Sequence, residues 1–260
     1  MKKALVLIPA AVLLFAISSC KKEVPAQDIN NISTTYKPII FKFSATWCGA
    51  CGSVGYPVFK DIASQHGSKI TLLNVNTDDD IVTGTPPGAG GLQNFFDVSG
   101  IPSCGVNLSE GFYPDVADIN DSISAVRAQH TKAKAGIGFS MKVEGNNAVV
   151  TTKTVAFEAL TGRYSLAVYL TEDGITEQQA GLSGGTGKFD HIFRGAADGQ
   201  SWGAPIITTS CEAGAEFNKT HTIPIPADVR DRNNLHVVVV LYKINPTSFM
   251  PVDVINSNHN

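Results

Sequence analysis

Cys48 and Cys51 stand three positions apart in the segment Trp47-Cys48-Gly49-Ala50-Cys51. Two thiols at this spacing can close a disulfide across one helical turn, or they can form half of a zinc site. Zinc needs four ligands, and the chain has no second CxxC and no HxxxH, so no metal is expected. If the motif opens a helix, the helix N-terminus places partial positive charge and free N–H groups beside Cys48 and favours its thiolate. Cys48 is then the nucleophile that attacks a disulfide. Cys51, one turn deeper, resolves the mixed disulfide by bonding back to Cys48.

The flanking residues supply the elements such a motif needs. Before it runs the β-prone Pro38-Ile39-Ile40-Phe41-Lys42-Phe43-Ser44. After it, Val54, Val58, Phe59, Ile62 and Ala63 recur at helical spacing from Ala50 to about His66, with Gly67 placed to end the helix and Pro57 expected to kink or interrupt it. Lys69 to Asn76 reads as a second strand, and such a βαβ unit predicts parallel pairing with a right-handed crossover. Residues 78–91 (DDDIVTGTPPGAGG) read as a surface loop. Its three aspartates lack the ligand spacing of an EF-hand, so they are expected to be a solvated face rather than a calcium site. A short helix from Leu92 to Phe96, a strand from Cys104 to Leu108 and a helix from Val116 to His130 complete this half.

Phe41-Lys42-Phe43-Ser44-Ala45-Thr46-Trp47-Cys48-Gly49-Ala50-Cys51 resembles the active-site strand and turn of the thioredoxin superfamily, and Gly100-Ile101-Pro102-Ser103 resembles that family's cis-proline loop. The resemblance implies thiol-disulfide exchange with protein substrates and no cofactor. It also gives Ile101 and Pro102 a substrate-binding role, with Trp47 beside them shaping a groove for an extended chain. Two positions depart from the pattern: Ala50 replaces the usual proline inside the motif, and Lys42 replaces a buried aspartate on the preceding strand. The proton-handling role of that aspartate does not carry over. The motif does not set redox direction either, since CxxC proteins range from about −270 mV to about −120 mV.

Beyond about Ala133 the composition turns to β-branched and aromatic runs: Gly138 to Val143, Ala148 to Phe157, Tyr164 to Thr171, Thr220 to Ile225 and Leu235 to Ile244. Strands at this spacing predict a β-sandwich. Asn146-Asn147 is the expected hairpin turn of the first pair, and Val237 to Leu241, apolar throughout, is expected to be buried on both faces. Phe189-Asp190-His191-Ile192-Phe193-Arg194-Gly195 and the Val237–Lys243 strand resemble Omp28-related lipoproteins of Bacteroidetes, which pair a thioredoxin-like domain with a β-rich C-terminal domain. The fold expected is therefore an α/β thioredoxin-like domain over residues 36–133 and an all-β, β-sandwich-like domain over 134–260. His191 is read as a structural hydrogen-bonding residue and Arg194 as the partner of a nearby acid. Cys104 and Cys211 form either an inter-domain disulfide or two unrelated thiols, and Cys104, two residues after Pro102, is a further candidate as a third redox thiol. The glycine-rich 181–188 (GLSGGTGK) fails the phosphate-loop pattern, with Phe189 where Ser or Thr is required, and is read as a flexible loop between strands.

Met1-Lys2-Lys3, the apolar run Ala4 to Ile17 and Ser18-Ser19-Cys20 form a signal peptide over residues 1–19. Ile17-Ser18-Ser19-Cys20 resembles the bacterial lipobox, which makes Cys20 the lipidated first residue of the mature chain and residues 20–35 a polar, flexible tether. The expected location is the cell envelope, anchored to the outer membrane on its periplasmic or surface face. A formal net charge of −3 with 17% charged residues offers no basic field, so nucleic acid is not an expected partner. Two functions then compete: a lipid-anchored oxidoreductase acting on protein thiols and disulfides, and a non-catalytic surface lipoprotein whose β domain binds a partner and whose Cys48–Cys51 pair is structural. Metal delivery would require a ligand beyond the two cysteines.

Overall fold

The computed structural model describes residues 29–30 and 32–260. The signal segment, Cys20 and most of the 20–35 tether lie outside the described residues. Along the first half the elements are β1 (Ile39–Ser44), a single wide turn of π-helix at Cys51–Gly55, α1 (Tyr56–His66), β2 (Thr71–Asn76), α2 (Ala89–Phe95), β3 (Ser103–Val106) and α3 (Val116–Gln129). The helical run is interrupted as expected, by the π turn directly before α1, and Pro57 itself falls in the first turn of α1, where its missing N–H is tolerated. At the start of α3, Asp115 Oδ1 accepts from the N–H groups of Ala117 and Asp118, at 2.7 and 3.3 Å, a side-chain cap that fixes the helix start.

Strand β1 pairs parallel with β2 and antiparallel with β3. Because side chains alternate across a strand, Ile40 joins the core beneath α1 and α3 with Phe59, Ile62, Ile119 and Ile123. Phe41 and Phe43 face the other way, toward α2 and the ring of Phe96. The result is the helix-sheet-helix layering that the resemblance to thioredoxin implies.

The second half is strand-rich: β4 (Ala135–Glu144), β5 (Asn147–Ala156), β6 (Leu160–Thr161), β7 (Arg163–Glu172), β8 (Ile175–Gln178), β9 (Thr186–Phe189) and β10 (Ile192–Ala196) come first. They are followed by β11 (Ala204–Ile207), β12 (Ser210–Cys211), β13 (Glu216–Pro224), β14 (Leu235–Ile244) and β15 (Pro251–His259). The β4–β5 turn falls one residue earlier than expected, on Gly145-Asn146, because Glu144 pairs with Asn147 and Gly145 takes the left-handed conformation (φ 58°) that a tight hairpin needs. A three-stranded sheet, β13-β5-β4, packs on the large sheet through Ile137, Phe139, Val150, Leu166, Val168, Val239 and Leu241. In β14, Val237, Val239 and Leu241 face this sandwich core while Val238, Val240 and Tyr242 face the other side, so the strand is buried on both faces.

One sheet crosses the whole molecule. Its strand order is β15-β14-β7-β10-β2-β1-β3, with β11 also paired to β7. The halves meet where β10 runs parallel to β2, with Ile192 opposite Asn74 and the Asn74 N–H donating to the His191 carbonyl at 2.9 Å. Phe41, Phe43 and Val75 of the first half share one core with Tyr169, Phe193, Val238 and Tyr242 of the second. Among the described residues, no helix is long and apolar enough to cross a membrane.

Candidate functional site

Strand β1 delivers the chain to a turn at its C-terminal end, where the Cys48 N–H donates to the Ala45 carbonyl at 3.2 Å. Cys48 and Cys51 are joined by a disulfide. Cys48 is 7% exposed and Cys51 1%, so an incoming thiolate can reach only the first sulfur. The Cys51 N–H points at Cys48 Sγ from 3.1 Å. After reduction that N–H, with the positive end of the following helical turns, would stabilise a Cys48 thiolate.

The residues singled out with the cysteines gather at the same place. Ile101 packs against Ala45, Cys48 and Cys51, and its carbonyl oxygen lies 3.5 Å from Cys48 Sγ. The Ile101–Pro102 peptide bond is cis. Gly55 faces the Pro102 ring so closely that an added Cβ would sit 3.2 Å from it. Trp47, 63% exposed, anchors its indole N–H on the Asp78 carbonyl at 3.3 Å.

Two of the three aspartates of the 78–91 loop, Asp78 and Asp80, are exposed as expected, but Asp79 is half-buried and bonded into the turn. Asp79 Oδ2 accepts from the Thr46 N–H at 3.0 Å and from Asn76 Nδ2 at 2.6 Å, while Oδ1 accepts from the Ile81 and Val82 N–H groups. Asp80 Oδ2 accepts from the Thr46 hydroxyl at 3.0 Å. Together they hold the turn that carries Trp47 and Cys48.

A second support comes from the far half of the chain. The β8–β9 hairpin folds back so that its tip, residues 179–185, lies on the CxxC turn. Gln179 is buried, and its Nε2 lies 3.0–3.3 Å from the carbonyl oxygens of Ala45, Thr46, Cys48 and Ala180. The Ala180 N–H donates to the Thr46 carbonyl at 2.8 Å. Backbone meets backbone here, because a Cβ at Gly181 would overlap the Gly49 carbonyl and one at Gly52 would overlap the Ala180 carbonyl. The stretch read as a flexible connection between strands is thus partly β9 and partly a clamp on the motif. Gln179 was not visible as a site residue in the sequence, where it is one glutamine 131 positions from the carbonyl of Cys48.

The remaining candidates have structural partners. Cys104 and Cys211 are both free and not bonded to each other, and burial pushes the Cys104 thiol up to about 12, too high for exchange. The His191 backbone N–H donates to Asp173 Oδ1 at 2.7 Å, and its ring lies 3.6 Å from the same oxygen. Arg194 is paired with Glu172 at 2.6 Å inside the large sheet. Lys42 is buried without such a partner, and burial lowers its amine to about 8.

Comparison with known proteins agrees with this layout. The family model described as outer membrane protein Omp28 matches residues 89–257, and the thioredoxin model matches residues 21–103. The chain is 41% identical over 44 residues to a thioredoxin of Mycolicibacterium smegmatis, covering 17% of this chain and 38% of that protein. It is 39% identical over 62 residues to thioredoxin 1 of Nostoc sp., covering 24% and 50%. The chain thus spans half or less of the length of these relatives. A solved structure, HBP35 of Porphyromonas gingivalis, superposes with a TM-score of 0.66 at 16% identity over 88% of this chain and 76% of that one, which shows a shared fold.

Proposed function

The chain belongs to the outer membrane protein Omp28 family, and from that premise we propose that it is a lipid-anchored cell-envelope protein that exchanges disulfides with extended protein substrates. The observation that carries this reading is the asymmetry of the disulfide: a reachable Cys48 sulfur beside the Ile101 carbonyl, bonded to a buried Cys51. In the reducing direction, the Cys48 thiolate attacks one sulfur of a substrate disulfide. The S–S bond breaks, one substrate sulfur leaves as a thiolate and the other forms a mixed disulfide with Cys48. The Cys51 thiolate then attacks Cys48 Sγ, closing the Cys48–Cys51 disulfide and releasing the second substrate thiol. The substrate gains two electrons and the pair loses two; the oxidising direction is the reverse. Trp47, Ile101 and Pro102 would border the substrate chain. Cys20 would carry the lipid that holds the protein at the outer membrane, on its periplasmic or surface face.

The test is insulin reduction with a thiol regenerant. Wild type is expected to accelerate precipitation of the insulin B chain, Cys48→Ser is expected to abolish the effect, and iodoacetamide should label Cys48 first in the reduced protein. Equal activity in wild type and variant would overturn the reading. The Gln179 clamp favours one rival, a structural disulfide in a partner-binding lipoprotein. That rival predicts a Cys48–Cys51 potential too low to exchange with glutathione.

A further inference from the structure

Beneath the hairpin lies a cavity that the disulfide chemistry does not use. Lys42 and Asn74 are register partners on the parallel strands β1 and β2, which places both side chains on one face of the sheet. That face is roofed by α1 on one side and by β9 with the residues after it on the other. Between them is a cavity of about 110 Å³, with Lys42 and Asn74 in its wall and apolar carbon from Phe59, Ala63 and Phe189 around them.

Two polar groups there lack partners. The Lys42 side chain has no ion pair and no hydrogen bond among the described residues, and its ammonium nitrogen faces the rings of Phe59 and Phe189 at 5.4 and 5.9 Å. Asn74 Oδ1 is buried with nothing donating to it. A buried cation without an anion and a buried acceptor without a donor each cost free energy, and folded proteins retain such groups chiefly where something else satisfies them. Lys60 and Lys188 line the same cavity and add positive charge, against a single acid, Asp190.

These features specify a ligand chemically. It must carry an anion for Lys42, a donor for Asn74 Oδ1 and a flat apolar body for the aromatic wall, and it must be small. An enclosed cavity of roughly 150 Å³ accepts one benzene ring; this one is smaller, about 110 Å³, but open to solvent at its mouth, so it admits at most a single ring with part of the molecule in the mouth. We propose that this cavity binds a small hydroxylated aromatic carboxylate, its carboxylate held by Lys42, its ring lying against Phe59 and Phe189 and its hydroxyl donating to Asn74. The site shares no residue with the Cys48–Cys51 exchange, so either proposal can fail alone.

Calorimetric titration of the purified chain tests it, with 4-hydroxybenzoate as the probe. Benzoate lacks the donor and 4-hydroxybenzyl alcohol lacks the anion. The expected result is saturable binding of 4-hydroxybenzoate at one site, weaker binding of benzoate, and weaker still of the alcohol. Lys42→Met should weaken 4-hydroxybenzoate by about tenfold or more, the scale of a lost charge-assisted hydrogen bond. Ala63→Leu, which narrows the cavity and leaves Lys42 in place, should do the same and serves as the second variant if Lys42→Met does not fold. The proposal is overturned by absence of saturable 4-hydroxybenzoate binding up to about 10 mM, far weaker than an oriented ion pair with a buried lysine would give. It is equally overturned by unchanged affinity in the variants, or by the alcohol binding as well as the acid. Saturation by water alone would appear as the first of these outcomes.

Discussion

Arg194 on β10 and Lys42 on β1 are both cations inside the same eight-stranded sheet, at 1% and 7% exposure, and they are treated in opposite ways. Arg194 donates Nε to Glu172 Oε2 at 2.9 Å and Nη1 to the Ile81 carbonyl at 2.8 Å, with Asp228 a further 3.5 Å contact. Glu172 is completed in turn by the backbone N–H groups of Arg230 and Asp231. Every charge in that cluster has its counterpart, and the cluster joins the 78–91 loop to the β strands. Lys42 has two aromatic rings and an open cavity. The first arrangement is what a structural ion pair requires; the second leaves a place for a molecule the chain does not itself supply.

Substitution to methionine separates the two. Arg194→Met leaves the Glu172 carboxylate buried without its cation and is expected to cost about 3–5 kcal/mol in urea unfolding. Lys42→Met removes a buried charge whose burial outweighs the help it receives from Asp79 and the two rings, and is expected to stabilise by roughly 2–3 kcal/mol at pH 7. Equal losses for both would break the comparison.

The pH dependence sharpens it. Burial holds the Lys42 amine at about 8, below its ordinary 10.5. Below pH 8 the folded and unfolded states both carry the charge and the burial penalty is complete. Between about 8 and 10.5 the folded state releases the proton while the unfolded state keeps it, so the wild type recovers stability as pH rises. The advantage of Lys42→Met should therefore shrink from pH 7 to pH 10, read as the difference between the two proteins so that other titrating groups cancel. Gln179 is the neutral member of the series, buried and bonded through its amide nitrogen. Gln179→Leu should cost about 1–2 kcal/mol, because Ala180 still donates to Thr46 and Gly52 to the Cys48 carbonyl. The accompanying readout is faster alkylation of reduced Cys48 as the turn loosens.

What could be read from the sequence was whatever repeats locally. The unit β1-α1-β2 carries its period and its cysteine spacing within about 40 residues, and β14 is apolar from Val237 to Leu241. Cys48, Cys51 and Pro102 were legible because covalent spacing and chain order mark them. Strand β15 was not, because Asn256, Ser257 and Asn258 are buried polar residues that obey no hydrophobic alternation. They are satisfied at a distance: Asn256 Oδ1 accepts from the Lys37 N–H, Nδ2 donates to the Ala135 carbonyl, and Asn258 Nδ2 donates to the Ile137 carbonyl. The β8–β9 hairpin was hidden for a similar reason, since its strands are four residues each and its tip, glycine-rich, shows no hydrophobic period. Gln179 and the Asp79–Thr46 bond belong to the same class, contacts made by folding rather than by neighbouring positions.

The junction of β10 with β2 also limits how the molecule can be divided. A fragment ending before β4 would turn β2 into an open margin, with the hydrogen-bonding groups facing His191 and Ile192 bare and Phe41, Phe43 and Val75 stripped of Tyr169, Phe193 and Val238. Such a piece would offer a ready template for self-association. The CxxC turn, together with its hairpin clamp, is therefore not a portable cassette; its transplantation into another protein would have to bring the strands beyond it as well.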